Sequence, residues 1–142
     1  MADYDQNNLF AKILRGELPS YKVYEDDKAL AFLDIMPRAA GHTLILPKAP
    51  ARNILDVKPD DLAHVMQVAQ KIARAAKEAF SADGITVQQF NEKAGGQVVF
   101  HLHVHVIPRH NGVSLKPPAS VQEKPEVLGE HASMLKAVLA KA

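Results

Sequence analysis

The stretch that decides the fold is FHLHVHVI, residues 100–107. Histidine and apolar residues alternate along it, and successive side chains of a β-strand point to opposite faces of a sheet. The alternation therefore predicts a strand with His101, His103 and His105 on one face and apolar residues on the other. A single histidine would be an ordinary polar position on a solvent-facing side. Three in succession favour a functional site, because they interrupt a strand that is otherwise apolar.

Two kinds of chemistry suit this histidine stripe. Two histidines at i and i+2 can hold one zinc ion, but same-face neighbours lie about 6.7 Å apart, so one ion cannot take all three. A metal site would need His42 or a distant acid as well. Neutral imidazole, whose ordinary pKa is about 6.5, has a free lone pair that can attack phosphorus. Its neighbours disfavour protonation of the central His103, so the nucleophile is the stronger hypothesis.

Further candidates for binding lie outside the stripe. Gly95-Gly96-Gln97 precedes it, and glycines let backbone N–H groups approach an anion, so this turn is a candidate phosphate cradle. Asp34 follows an apolar strand and is either a turn-forming residue or a carboxylate for both ribose hydroxyls. Four apolar residues are either hydrophobic core or the lining of a purine slot, and spacing alone cannot choose between these: Phe10, Ile13, Ile35 and Leu44.

Hydrophobic periodicity and turn residues predict one domain of the α/β or α+β class. The predicted helices cover residues 7–16, 59–80 and 126–140, and the segment 51–57 is a short helix or irregular. The predicted strands cover residues 21–24, 28–33, 42–46, 85–90 and 98–107. A tight connection joins the last two strands, Pro108 ends the second of them, and residues 111–125 form an extended arm.

Composition excludes several classes of protein. The chain has 142 residues, 47% hydrophobic and 23% charged, which is typical of one globular domain rather than a disordered tail, a fibre or a membrane bundle. Lys plus Arg is 17 and Asp plus Glu is 16, so the net charge is +1. A chain with this near-neutral balance lacks the excess of basic residues that binding to long nucleic acid needs. There is no cysteine and no apolar run long enough to span a membrane, and because the first twenty residues contain no uninterrupted apolar core, no signal peptide is expected. These features predict a soluble, cytoplasmic protein.

Taken together, these blocks resemble the histidine-triad (HIT) family of nucleotide hydrolases and transferases. The signature His-x-His-x-His-x-x matches HLHVHVI, residues 101–107, and FLDIMPRAAGHTLILPK, residues 32–48, and LFAKILRGELPSYKVYEDD, residues 9–27, are similar to the upstream blocks. The resemblance covers about residues 8–110. It implies an α+β fold with a five-stranded antiparallel sheet that continues across a homodimer. It also implies a histidine-triad domain over 1–110, with an extension over 111–142 that packs on it or on the partner subunit.

The resemblance also implies a role for each candidate residue. His103 would be the nucleophile that takes the nucleotidyl group, and His105 would contact the phosphate and the leaving atom. His42 and His101 would support these two residues without contacting the substrate themselves. The phosphate would face Asn91, Gly96 and the backbone around Gln97 and Val98, the ribose would face Asp34, and the base would lie among the four apolar residues named above.

Two departures from the family pattern change what is expected. Many bacterial relatives carry Cys-x-x-Cys near the start, which binds zinc with the counterparts of His42 and His101. Asn8 and Ala11 stand at those cysteine positions here, so the zinc site is expected to be lost and no metal cofactor is expected. Val98 stands where the phosphoramidase branch has serine, which leaves the preferred leaving group open.

The sequence therefore predicts a two-step hydrolase acting at the α-phosphorus of a purine nucleoside phosphoramidate or a similar nucleotidyl compound. One alternative is a dinucleoside polyphosphate hydrolase, which Pro108-Arg109 also suits. A second is a regulatory nucleotide-binding protein with weak hydrolysis, and a third is a metal-binding protein that uses His42 and His101.

Overall fold

The computed structural model describes residues 3–141 and contains one antiparallel sheet with helices on both faces. Its elements are α1 (Leu9–Leu14), β1 (Lys22–Glu25), β2 (Ala29–Leu33), β3 (Thr43–Pro47), α2 (Pro59–Ala79), β4 (Gly84–Gln88), a 3₁₀ turn (Lys93–Gly95), β5 (Val104–Arg109) and α3 (Pro125–Lys141). The five strands lie in the order β1-β2-β3-β5-β4, and each neighbouring pair is antiparallel. The α+β fold with a five-stranded antiparallel sheet is confirmed.

Alternating side chains give the sheet two apolar faces. Ala31, Ile45 and Val106 lie on one face, where α2 and α3 cover them and form the larger core. The other face carries Leu30, Phe32, Leu44 and Leu46, which pack with Phe10 and Ile13 of α1. His105 pairs with Leu44 across β3 and β5, so its side chain belongs to this second face. The histidine site thus lies on the α1 side of the sheet, away from α2.

The two terminal helices differ from their predicted lengths for local reasons. Residues 7–16 form only the six-residue α1, because the Asn8 side chain accepts the N–H of Ala11 as an N-cap and Gly16, at φ +79°, ends the helix. At the other end, α3 extends to Lys141 and buries Leu128 and Leu135 in the larger core. The segment 111–124 before it forms neither helix nor strand, in agreement with the predicted arm.

The strand predicted over 98–107 is wrong in its bounds, since β5 begins at Val104 and runs to Arg109. Residues before it bond to a distant segment instead of a neighbouring strand: Leu102 donates its N–H to the carbonyl of Ala51. Pro108 lies within β5 because pairing with β3 stops at Val106, so at Pro108 β4 is the one strand beside it in the described part of the chain. Because β4 ends at Gln88, the connection to β5 spans 89–103 and is not a tight turn.

Two further predictions can be compared with the described residues. Residues 51–57 form turns and bends, which agrees with the irregular alternative. Within residues 3–141, the helices are too short or too polar to cross a membrane.

Candidate active site

The histidines of the stripe differ in how far solvent reaches them. His101 and His42 are 0% and 1% exposed, whereas His103 keeps 9% of its surface and His105 is half-buried. The His103 ring packs edge-on against Phe10, with centroids 4.8 Å apart, and lies 5.0 Å from the His105 ring. A ligand can therefore contact His103 and His105. The fully buried His101 and His42 cannot touch it and act through their hydrogen bonds to those two residues.

The ring of His103 is held with a free nitrogen lone pair. Its Nδ1 lies 2.6 Å from the carbonyl oxygen of His101. A carbonyl only accepts, so Nδ1 must carry the proton and donate it, which leaves the lone pair on Nε2. Burial lowers the pKa of His103, and the bond to the His101 carbonyl opposes that shift. Burial and tautomer together give a neutral imidazole whose Nε2 can act as a nucleophile.

His105 is held in the opposite tautomer, with its proton on Nε2, by hydrogen bonds that run from the Arg38 backbone through His42. The backbone N–H of Arg38 donates to His42 Nδ1 at 3.1 Å, so the His42 proton is on Nε2. That nitrogen lies 2.9 Å from His105 Nδ1, which must accept, and the His105 proton is therefore on Nε2. Burial lowers the pKa of His42 to about 4 and that of His105 to about 3, and the proximity of Arg38 and of the other imidazoles, which disfavours a further positive charge, is a second cause. His105 thus offers a neutral N–H donor beside the His103 lone pair.

His101 is fixed at both ring nitrogens. Its Nε2 donates to the carbonyl of Pro47 at 2.8 Å, and its Nδ1 accepts from the hydroxyl of Tyr4 at 2.6 Å. Burial lowers the pKa of His101 to about 4. The carbonyl of His101 accepts from His103 Nδ1 and so sets the tautomer of His103. The two contacts of the His101 ring therefore help to hold this carbonyl in place.

Asp34 lies at the edge of the same histidine pair. Its Oδ2 is 3.7 Å from His42 Nε2, and its Oδ1 accepts the N–H of Met36 at 2.9 Å. Burial raises the pKa of the Asp34 carboxyl, and the Met36 bond opposes this. The side chain remains 23% exposed, so one carboxylate oxygen can still accept from a ligand.

Metal binding does not fit this arrangement. Asp34, His42 and His105 place one ligand atom each within 4.8 Å of one another. Coordination through His42 Nε2 would, however, move its proton to Nδ1, where it would face the N–H of Arg38. The zinc positions expected from the family fit no better, because the Asn8 side chain is an N-cap and Ala11 has no ligand atom. His42 and His101 also bind different partners, so nothing supports a joint site for them.

The glycine turn does not offer the amides expected of it. The N–H groups of Gly95 and Gln97 both donate to the carbonyl of Glu92, and that of Gly96 donates to Lys93. Gly96 is needed for its φ of +96° and for the Phe90 ring, which lies 3.3 Å from where a Cβ would be. Across the described part of the chain, no acceptor is found for the N–H of Val98, whose side chain is 84% exposed. A backbone N–H that is free to bind an anion at this loop is thus that of Val98, two positions after Gly96.

Gln97 and Asn91 connect two loops rather than facing solvent. Gln97 is 4% exposed; its Nε2 donates to the carbonyls of Arg52 and Val99, and its Oε1 accepts from Asn53 and Glu92. Asn91 Oδ1 accepts the N–H of Ile54. The sequence grouped both with the substrate, but the contacts occupy their polar atoms in shaping the loop.

The four candidate base-slot residues separate into two sets. Phe10, Ile13 and Leu44 are buried in one cluster on the α1 face, next to the His103 ring. Ile35 lies outside that cluster and is 41% exposed. The first three have core contacts whether or not a base binds, and Ile35 has a free apolar surface.

Sequence reasoning missed two residues that act on the histidines. Arg38 orients His42 through its backbone amide, and Tyr4 orients His101 through its hydroxyl. Tyr4 is 97 positions away from its partner, so no spacing rule could pair them. Arg38 is four positions before His42, but a backbone donor leaves no trace in residue type.

Comparison with known proteins places this geometry in a family. A family model described as HIT domain matches residues 15–112. A crystal structure of a HIT-like protein from Bartonella henselae, involved in cell-cycle regulation and containing an unknown ligand, is 51% identical with a TM-score of 0.90, covering 96% of this chain and 99% of that one. A zinc-bound histidine triad family protein from Mycobacterium smegmatis is 38% identical with a TM-score of 0.83, covering 96% and 95% of the two chains.

A relative with a named activity is also similar over most of the chain. Adenylylsulfatase HINT3 from Arabidopsis thaliana is 36% identical over 127 residues, which are 89% of this chain and 64% of that protein. With the domain match, the histidine stripe and the shared fold in agreement, the chain belongs to the HIT family of nucleotide-binding proteins.

Proposed function

We propose that this protein is a two-step hydrolase that cleaves the bond between the α-phosphorus of a purine nucleotide and its leaving group through a covalent nucleotidyl-His103. The observation that carries this proposal is the pairing of opposite tautomers. His103 presents a lone pair at Nε2, and His105 presents an N–H at its own Nε2. One ring can attack phosphorus while the other donates a hydrogen bond to the charge that develops.

The two steps balance as follows. In the first, the bond from His103 Nε2 to phosphorus forms and the bond to the leaving group breaks, with its electron pair going to the leaving atom, which takes a proton from solvent where it is an amine nitrogen. The His105 N–H stabilises the negative charge on the phosphate or leaving atom. In the second, a water oxygen bonds to phosphorus, the P–N electron pair returns to Nε2, and the proton of the water passes to solvent. Neither step requires a metal ion.

The remaining candidate residues hold the nucleotide. The carboxylate of Asp34 accepts from the ribose hydroxyls, and the base rests on Phe10, Leu44 and the exposed side of Ile35. The Val98 amide donates to the phosphate, because the amides of the glycine turn are used within it. The similarity to an adenylylsulfatase supports a nucleotidyl substrate, since adenylyl sulfate also carries its leaving group on the α-phosphorus. Nucleoside phosphoramidates also carry their leaving group on the α-phosphorus and are therefore included in the proposed substrate class.

We further propose that two copies form a homodimer in the cytoplasm by joining their sheets. The edge strand β4 supports this, because among residues 3–141 it pairs with β5 alone and Val87 is 48% exposed. The burial of Leu128 and Leu135 of α3 in the larger core supports the proposal that the extension packs on its own domain.

Intact-mass spectrometry after rapid mixing with adenosine 5′-phosphoramidate tests the reaction. The wild type should gain the mass of one adenylyl group, and His103→Ala should gain none and turn over at least about a thousandfold more slowly. The matched control His110→Ala removes a histidine outside the site and should keep the adduct. Tight nucleotide binding without any adduct would instead support the regulatory nucleotide-binding alternative. Turnover by His103→Ala at the native rate would exclude the proposed nucleophile.

A further inference from the structure

The arm, residues 111–124, forms hydrogen bonds with the loop 35–38. This loop contains Arg38, whose N–H sets the proton positions of His42 and His105. The N–H of Lys116 donates to the carbonyl of Arg38 at 2.9 Å, and the Arg38 Nε donates back to the carbonyl of Lys116 at 2.8 Å. A third bond, from the N–H of Glu123 to the carbonyl of Ile35, anchors the arm to the same loop. The loop 35–38 therefore has partners 78 or more positions away at both of its ends.

This contact bears on the proton positions already described. The Arg38 amide is the group that forces the His42 proton onto Nε2 and, through it, the His105 proton onto Nε2. Neutral imidazole has two tautomers of similar energy, so a single fixed donor decides between them. If the Arg38 backbone changed conformation and its N–H no longer pointed at His42, His42 could carry its proton on Nδ1 and accept at Nε2. His105 would then donate from Nδ1 and face the substrate with a lone pair.

We propose that the arm acts as a positioning element: Lys116, bonded to the carbonyl and the side chain of Arg38, holds this residue in the conformation that directs its N–H to His42 and so keeps the His105 proton on the nitrogen facing the substrate. Arg38 and Lys116 are positioning residues, since they act through His42 and touch no reacting atom. The tautomer part of this inference stands independently, and only its kinetic consequence rests on the proposed function.

The test uses full-length proteins with altered arm contacts. Lys116→Pro removes the N–H donated to Arg38, and Arg38→Ala removes the side-chain donor while keeping the backbone amide. Ser114→Pro is the matched control, because it adds a proline to the same arm where the described contacts include no bond from that N–H. Arg38→Lys restores a side-chain donor and should recover part of the wild-type behaviour. Circular dichroism and thermal unfolding report whether each variant folds.

The first readout is the long-range ¹⁵N–¹H NMR spectrum of the histidine rings, which reports the tautomer without any substrate. Wild type and Ser114→Pro should show His42 and His105 protonated on Nε2, whereas Lys116→Pro and Arg38→Ala should show a mixture with Nδ1. A wild-type His42 protonated on Nδ1, or unchanged tautomers in both variants, would overturn the proposal.

The second readout is kinetic and compares leaving groups. A lost donor should lower kcat by about tenfold with little change in KM, because the donor acts on charge that develops in the transition state. The loss should be larger for an adenosine phosphoramidate than for a 4-nitrophenyl ester of AMP, whose leaving group needs less stabilisation. Equal losses for the two substrates would contradict the link to the leaving atom. Shifted tautomers without a His103 adduct in the wild type would refute the proposed function and leave the arm's role intact.

Discussion

Buried neutral histidines should make this protein sensitive to acid, and His101 allows the effect to be measured on one residue. His101 is fully buried and its pKa is lowered from 6.5 to about 4, mainly by burial. In the unfolded chain the imidazole takes up a proton below pH 6.5, while in the folded protein it stays neutral. The unfolded state therefore binds more protons as pH falls through this window, and the free energy of unfolding decreases.

The size of the effect follows from the width of the window. From pH 6.5, the unfolded pKa, down to pH 5 is about 1.5 pH units, and each unit corresponds to about 1.4 kcal/mol. His101 therefore lowers the free energy of unfolding by about 2 kcal/mol between pH 7 and pH 5. The loss reaches about 3 kcal/mol when pH approaches the folded value near 4. Since a domain is stable by only about 5–15 kcal/mol, this is a large share for one side chain.

The assay is urea unfolding, followed by circular dichroism, of the wild type and His101→Gln at pH 7, 6 and 5. The variant loses this titrating group, so its free energy of unfolding should fall by about 2 kcal/mol less than that of the wild type between pH 7 and pH 5. Leu102→Met is the control, because it disturbs the adjacent buried position and keeps every histidine. Its pH dependence should match the wild type. Identical slopes for wild type and His101→Gln would refute the claim that His101 is buried in its neutral form.

Two other predictions concern the residue before His42 and the free edge of the sheet. Gly41→Ala should lower the free energy of unfolding by about 3 kcal/mol and the melting temperature by about 10 °C, because Gly41 has φ +84° and a Cβ would lie 2.4 Å from the Phe80 ring. Calorimetry measures this against Gly129→Ala, which meets open space in α3 and should be neutral or slightly stabilising; equal effects would contradict the steric argument. Val87→Lys on the β4 edge should convert the proposed dimer to a monomer in sedimentation without changing the circular dichroism spectrum. A dimer that persists would exclude this edge as the contact.

The sequence predicted the elements of the fold more reliably than their ends. The alternation over 100–107 correctly separated Val104 and Val106 from His105, because side-chain direction in a strand depends only on local geometry. It could not show where β5 begins, because that depends on bonds such as Leu102 to Ala51, which cross to another segment. For the same reason the sequence predicts a tight turn between β4 and β5, where the structure has the connection 89–103.

The candidate site divides in the same way. The alternating pattern identifies His103 and His105, the family resemblance adds His42, and the structure brings the three rings together. The protons that decide their chemistry are set by a carbonyl of His101 and an amide of Arg38. Every residue but proline has such backbone groups, so sequence alone gives no sign of which are used.

The proposed chemistry and the expected acid sensitivity have one physical origin. A nucleophilic imidazole must be neutral, and burial ensures this for His103 by making the charged form costly. The same burial at His42, His101 and His105 removes stability as pH falls, which a fold under selection for stability alone would avoid. A solvent-facing row of histidines would have no such cost, so burial of the stripe argues against a merely polar surface. Each buried ring also has a partner that fixes its proton, and it is this pairing, more than burial itself, that distinguishes a reactive site from a poorly packed core.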